Sequence, residues 1–225
     1  MSGRDTGTVT AVWTDFGGVL TPPIADTMQT FCSRHGMDPR ALQRATLKVA
    51  REFGTDDVME PVDTPLVSER EWIRRISEAL VGEGHPPVEL ETIADAWFDG
   101  REVNTAWLHA LAEQREAGVH VGMLSNMVPT WDDHWRRMLD PESHFDAVVL
   151  SFVVGHRKPE PGMFRLAQEQ AGVPAHECVL VDDIEANCAG ARAAGWNAVH
   201  FTSTADAIEE LAALTGRPAA IGSNP

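Results

Sequence analysis

The chain has 225 residues, 43% apolar and 23% charged, enough to bury a sizeable core as one domain or as a domain with an inserted module. Its net charge of −16 argues against nucleic acid or an anionic membrane as partner, since both demand basic surface. Residues 1–7 lack a signal-peptide pattern and no apolar run approaches a membrane span, so a soluble cytoplasmic protein is expected. Cys32, Cys178 and Cys188 show no Cys-x-x-Cys spacing and read as buried thiols.

In chain order, residues 9–13 read as a buried strand ending in Thr14-Asp15-Phe16-Gly17-Gly18. Pro22-Pro23 breaks the pattern, and helical periodicity dominates residues 25–98. Asp26 is expected to cap a first helix, residues 39–53 form a second, and Ser68-Glu69-Arg70-Glu71 resembles a capping box before a third. Residues 90–98 read as helical again. Residues 105–117 form an amphipathic helix closed by Gly118, and residues 119–124 a strand ending in Ser125-Asn126. A helix over 132–139, a strand over 147–152 and a helix over 162–171 follow. The strand over 178–181 ends in Asp182-Asp183, and the helix over 184–194, strand over 197–201 and helix over 205–214 complete the pattern.

Repeated β-α units with buried strands imply an α/β fold: a doubly wound, Rossmann-like parallel sheet with an inserted helical cap. The expected division is a core over residues 8–21 and 104–215, a cap over 22–103, and a loose tail over 216–225. Trp72 and Trp97 fall in the cap, where they read as core packing or as the lining of an apolar substrate pocket.

Four features fall at or just beyond strand ends, where open α/β sheets bind ligands: Asp15, Ser125 with Asn126, Lys158, and Asp182 with Asp183. Singly, each has a plain reading as a turn, cap or solvated loop residue. Together they describe a phosphate and divalent-metal site. A strand-tip carboxylate can attack phosphorus, provided oxygen-bound Mg²⁺ and a lysine offset the repulsion between two anions.

The set Asp15-Phe16-Gly17-Gly18-Val19-Leu20, Leu124-Ser125-Asn126, Lys158-Pro159-Glu160-Pro161 and Val181-Asp182-Asp183-Ile184-Glu185-Ala186-Asn187 resembles the four motifs of the haloacid dehalogenase superfamily. Within it, the Asp-Asp-Ile-x-Ala-Asn string and residues 204–216 are similar to the phosphatase-like N-terminal domain of soluble epoxide hydrolases. The resemblance implies Asp15 as nucleophile and metal ligand, Ser125 and Asn126 as phosphate contacts, and Lys158 steadying both nucleophile and phosphate. It also implies Asp183 as a Mg²⁺ ligand, Asp182 as a further ligand or supporting partner, and the Gly17 carbonyl as a metal contact.

Gly17 is the departure. The family's phosphatases usually place an aspartate there to protonate the leaving group and activate water, assistance typically worth ~10²–10⁴-fold. Three consequences are open. His156, His134 or Glu185 stands in; the leaving group needs no proton; or the site only binds. The expected function is therefore a Mg²⁺-dependent hydrolase of a small organic phosphate acting through an aspartyl phosphate. The alternatives are a non-catalytic phosphate-binding or interaction module, and the metal-dependent ionisation of an isoprenoid diphosphate. Halogen removal fits the Asp182-Asp183 pair less well. The expected partner is a small phosphate or diphosphate substrate.

Overall fold

A computed structural model describes residues 8–217. In chain order the elements are β1 (Ala11–Thr14), α1 (Ile24–Arg34), α2 (Pro39–Glu52), α3 (Glu60–Asp63), α4 (Glu69–Gly82), α5 (Ala94–Phe98), α6 (Thr105–Glu116) and β2 (His120–Ser125). They continue with α7 (Asp132–Leu139), α8 (Pro141–His144), β3 (Ala147–Leu150), α9 (Ser151–Val154), α10 (Pro161–Ala171), β4 (Cys178–Asp182), α11 (Glu185–Ala193), β5 (Asn197–His200) and α12 (Thr204–Thr215). Short 3₁₀ turns lie at Pro129–Trp131 and Ala175–Glu177.

The chain divides into two compact units. Among the described residues, the first comprises 8–22, Glu102–Ser125 and 140–217. Its five strands form one parallel sheet in the order β3-β2-β1-β4-β5. β1 is central, and the winding reverses between β1 and β4, the place where such sheets leave a crevice outside their carboxyl ends. β1 and β4 are buried along their full length, which is why both read as unbroken apolar runs. Trp13 of β1 packs against Leu124, Phe164, Leu180 and Trp196 in the core of the sheet. β2 makes room for its ring with Gly122, where an added Cβ would lie 2.4 Å from the indole.

The second unit comprises Pro23–Arg101 and Asn126–Leu139 and is wholly helical. α2 packs on α4 through Ala45, Val49, Ile73, Ile76 and Leu80, and Trp97 of α5 stacks on Trp131 at 5.6 Å. Local chemistry starts the helices. Asp38 caps α2 by accepting from Arg40 N at 2.9 Å, with Pro39 at the first helical position. Ser68 caps α4 by accepting from Glu71 N at 3.3 Å. Trp72 and Trp97 are buried and border a wholly apolar cavity of about 40 Å³ inside this unit.

Several expectations need correction. Residues 126–139 pack with the helical unit rather than with the sheet. β3 stops at Leu150, not Phe152, because its last ladder partner is Ser125; beyond it Ser151–Val154 form a helical turn closed by Gly155 N donating to Ser151 O. The helix expected over 90–98 begins only at Ala94, because the Ile93 amide is taken by the Glu69 carboxylate. Asp26 caps nothing: α1 starts at Ile24 behind Pro23, and Asp26 lies in its first turn. Of the expected tail, Gly216 and Arg217 finish α12, while 218–225 lie outside the described residues, as does the 1–7 start. No helix among the described residues is long and apolar enough to cross a membrane.

Candidate active site

The β1–β4 pairing runs to Thr14 opposite Val181, and Asp15 N continues it by donating to Val181 O at 2.9 Å. The next residue on each strand is an aspartate, so Asp15 and Asp182 emerge side by side at the winding reversal. Asp183 follows directly. One oxygen from each of Asp15, Asp182 and Asp183 lies within 4.8 Å of the others. Lys158, only 1% exposed, enters from the loop between α9 and α10, its ammonium 2.8 Å from Asp15 Oδ1 and 2.5 Å from Asp182 Oδ2.

The two acids at the end of β4 and just beyond it have different surroundings. Asp182 is fully engaged: Oδ2 accepts from Lys158, while Oδ1 accepts from Ile184 N and Asn187 Nδ2, both at 2.9 Å. Asp183 Oδ1 is buried with no hydrogen-bond partner. Burial, followed by the charges of Asp15 and Asp182, pushes the Asp183 carboxyl up to about 7. Burial also pushes Asp15 upward, against the pull of Lys158. Burial works against the charge on Lys158, yet Asp15 and Asp182 together hold its ammonium above the ordinary lysine value. With all groups ionised, three carboxylates face one ammonium. This oxygen-rich cluster, with an excess of negative charge and one orphaned oxygen, fits a hard divalent cation.

The sequence profile of haloacid dehalogenase-like hydrolases matches residues 9–195, from just ahead of the first strand to past the Asp182-Asp183 pair. The chain belongs to that family. It is 34% identical over 130 residues to phosphoserine phosphatase of Thermus thermophilus, spanning 56% of this chain and 52% of that protein. It is 28% identical over 220 residues to bifunctional epoxide hydrolase 2 of Rattus norvegicus, spanning 90% of this chain and 38% of that one. This chain thus spans about half or less of the length of these curated relatives. The fold is shared with the HAD family enzyme bt-2542 of Bacteroides thetaiotaomicron, solved in complex with magnesium and inorganic phosphate. Their TM-score is 0.58 and identity 24%, over 85% of this chain and 93% of that chain.

Within this haloacid dehalogenase-like chain, the structure brings Asp15, Lys158, Asp182 and Asp183 together. Ser125 is buried at the tip of β2, the strand beside β1. Asn126 is the next residue and opens the helical unit's second segment. Gly17 is half-buried in the turn after Asp15, whereas the left-handed position of that turn is Gly18, at φ 81°.

The three stand-in candidates for the missing acid are engaged elsewhere. His156 Nδ1 is 3.2 Å from Glu160, His134 Nε2 is 2.7 Å from Asp95, and Glu185 bonds Arg192 at 2.7 Å. Asp132, in the first turn of α7, spends both oxygens on Trp135 and Arg136 of its own helix.

Two residues to which the motifs assign no role support Asp15 and Asp182. Thr14, fully buried, donates to Asp15 O and accepts from Trp107 Nε1, both at 3.0 Å, fixing the backbone under Asp15. Asn187 lies five residues past Asp182 and reaches back to it from the first turn of α11. An Asn at that spacing after a strand-end Asp was the available signal; nothing in the sequence pairs Thr14 with Trp107.

Proposed function

We propose that the protein is a Mg²⁺-dependent phosphatase that hydrolyses a small organic phosphate through an aspartyl phosphate on Asp15. The observation that carries this reading is a strand-tip carboxylate, Asp15, held by a buried lysine beside two further carboxylates, one with an orphaned oxygen. Asp15, Asp183 and the Gly17 carbonyl would hold the ion, with Asp182 beside them. When bound, Mg²⁺ supplies the positive charge that lets a phosphate approach a carboxylate.

Lys158 fixes Asp15 Oδ1 and leaves Oδ2 as the attacking atom. A new Asp15 Oδ2–P bond forms as the P–O bond to the leaving group breaks, and the electron pair departs on that oxygen. Ser125 and Asn126 orient the phosphate oxygens, and Lys158 offsets their charge. Water then attacks phosphorus as the Asp15 Oδ2–P bond breaks; the electron pair returns to the Asp15 carboxylate, and the water's protons leave on the released phosphate or to solvent. Asp182, saturated by Lys158, Ile184 N and Asn187, keeps the ammonium aimed at Asp15. The helical unit is inserted directly after the Asp15 turn and again directly after Ser125, and in this reading it acts as the cap that selects the substrate.

Gly17 keeps its carbonyl for the metal but offers no proton. The loss of about 3–5 kcal/mol of transition-state help restricts fast turnover to leaving groups that depart as stable anions. The test is hydrolysis of an aryl phosphate with Mg²⁺ by the native protein and by Asp15→Asn. Equal rates remove the proposal.

Gly17 also favours a second reading, a site that binds phosphate esters without turning them over. Calorimetric binding of an ester with no release of phosphate across a substrate panel selects it; multiple turnover excludes it. Carbon-skeleton products from an isoprenoid diphosphate would select ionisation instead.

A further inference from the structure

We propose that Glu69, a residue of the inserted helices, is a positioning residue for the phosphate-contacting loop that begins at Asn126. The inference rests on the reading of Ser125 and Asn126 as phosphate contacts.

Glu69 is the first residue of α4 and is only 5% exposed. Its carboxylate accepts four hydrogen bonds, all from neutral donors. Oε1 accepts from Ile93 N and Trp131 Nε1, each at 2.9 Å. Oε2 accepts from Thr92 Oγ1 at 2.8 Å and Thr130 Oγ1 at 2.6 Å. The partners come from two separate stretches of chain. Thr92 and Ile93 lead into α5, whereas Thr130 and Trp131 form the 3₁₀ turn that closes the loop after β2. One carboxylate therefore ties the insertion to a segment that starts at Asn126.

That tie bears on Asn126 because the loop is short and held at both ends. Ser125 is fixed as the last paired residue of β2, and Met127 and Val128 are buried. Glu69 grips the other end, four and five residues beyond Asn126. With the grip in place, the backbone at Asn126 has little freedom. Without it, the far end of the loop loses its hydrogen-bonded anchors at Thr130 and Trp131, and a phosphate contact made from Asn126 is held less firmly. A buried carboxylate is an expensive way to join two loops unless their relative position matters.

The donor set also predicts which substitution is tolerated. An amide N–H and an indole N–H can only donate, so the Oε1 position must be an acceptor. Threonine hydroxyls can reverse and accept. Glutamine, with its carbonyl at the Oε1 position and its amide donating to the two hydroxyls, satisfies the whole set. Alanine satisfies none of it.

The experiment compares the full chain with Glu69→Gln, Glu69→Ala and Thr130→Val/Trp131→Phe. It reads KM and kcat for an aryl phosphate, the Kd of inorganic phosphate by calorimetry, and amide exchange at Met127 and Val128. Expected are a rise of at least tenfold in KM and phosphate Kd for Glu69→Ala, with a smaller change in kcat, and faster exchange at both amides. Glu69→Gln should stay within about threefold of the native protein. A folded Glu69→Ala with native KM, phosphate Kd and exchange overturns the proposal. If that variant does not fold, Thr130→Val/Trp131→Phe decides by the same measures. Should the native protein neither bind nor turn over phosphate, the reading of the site fails. Exchange at Met127 and Val128 then still judges the clamp: faster exchange in the variants supports it, and unchanged exchange overturns it.

Discussion

Gly18 and Asp183 compete for one space: a Cβ built on Gly18 would lie 2.0 Å from Asp183 Oδ2 and 2.5 Å from its carboxyl carbon. The absent side chain of one motif is the room in which the acid of another sits. Gly18 also has φ 81°, a conformation that costs a non-glycine residue about 1–3 kcal/mol. Gly18→Ala should therefore displace Asp183 and weaken Mg²⁺ binding by roughly tenfold or more, with a fall in thermal stability. Isothermal titration with Mg²⁺ and a melting curve check both; unchanged Mg²⁺ affinity would show that Asp183 is not a ligand.

Asp183 should weaken the metal-free fold. Its folded pKa, about 7, lies above the ordinary 3.8, so the folded state holds this proton more tightly than the unfolded chain does. The penalty is therefore complete above pH 7 and is relieved as pH falls toward 4. In chelator at pH 8, Asp183→Asn should melt higher than the native protein, by about 2–4 °C for a screened gain on the order of 1 kcal/mol. The gap should narrow by pH 5 and close near pH 4. Saturating Mg²⁺ should reverse the order, since only the native site gains from the ion. A variant that melts lower in chelator at pH 8 contradicts the assignment of strain to this carboxylate.

Gly17→Asp restores a carboxylic acid where the family's phosphatases usually carry one. For alkyl phosphates, whose alkoxides leave poorly, the rate should rise by roughly 10²–10⁴-fold. An aryl phosphate should gain far less, because its leaving group needs little help. The slope of log kcat against leaving-group pKa should accordingly be steep in the native protein and shallow in the variant. Parallel slopes would mean that another group already supplies the proton.

The three thiols should be inert in the folded protein. Cys32, Cys178 and Cys188 are fully buried, and burial pushes Cys178 and Cys188 up to about 12. At pH 8 the thiolate that reacts with a disulfide reagent is almost absent. Titration with an aromatic disulfide should count close to zero thiols in the native state and three in denaturant. A thiol that reacts rapidly in native buffer would show an opening of the core around it, the helical unit for Cys32 or the sheet unit for Cys178 and Cys188.

The sequence by itself determined the sheet and the order of its acids. β1 and β4 are buried on both faces, so their apolar runs and the carboxylates ending them are visible without any knowledge of partners. The capping signals of α2 and α4 are equally local. Tertiary structure alone decided what lies side by side. It put the positive φ on Gly18, split the roles of Asp182 and Asp183 by saturating one and orphaning an oxygen of the other, and sent residues 126–139 to the helical unit. Residue type reports a side chain's chemistry and its neighbours along the chain. Which donors reach Thr14 or Glu69, and the reach of Lys158 to Asp182, depend on residues up to 93 positions away, and no local pattern records such distances.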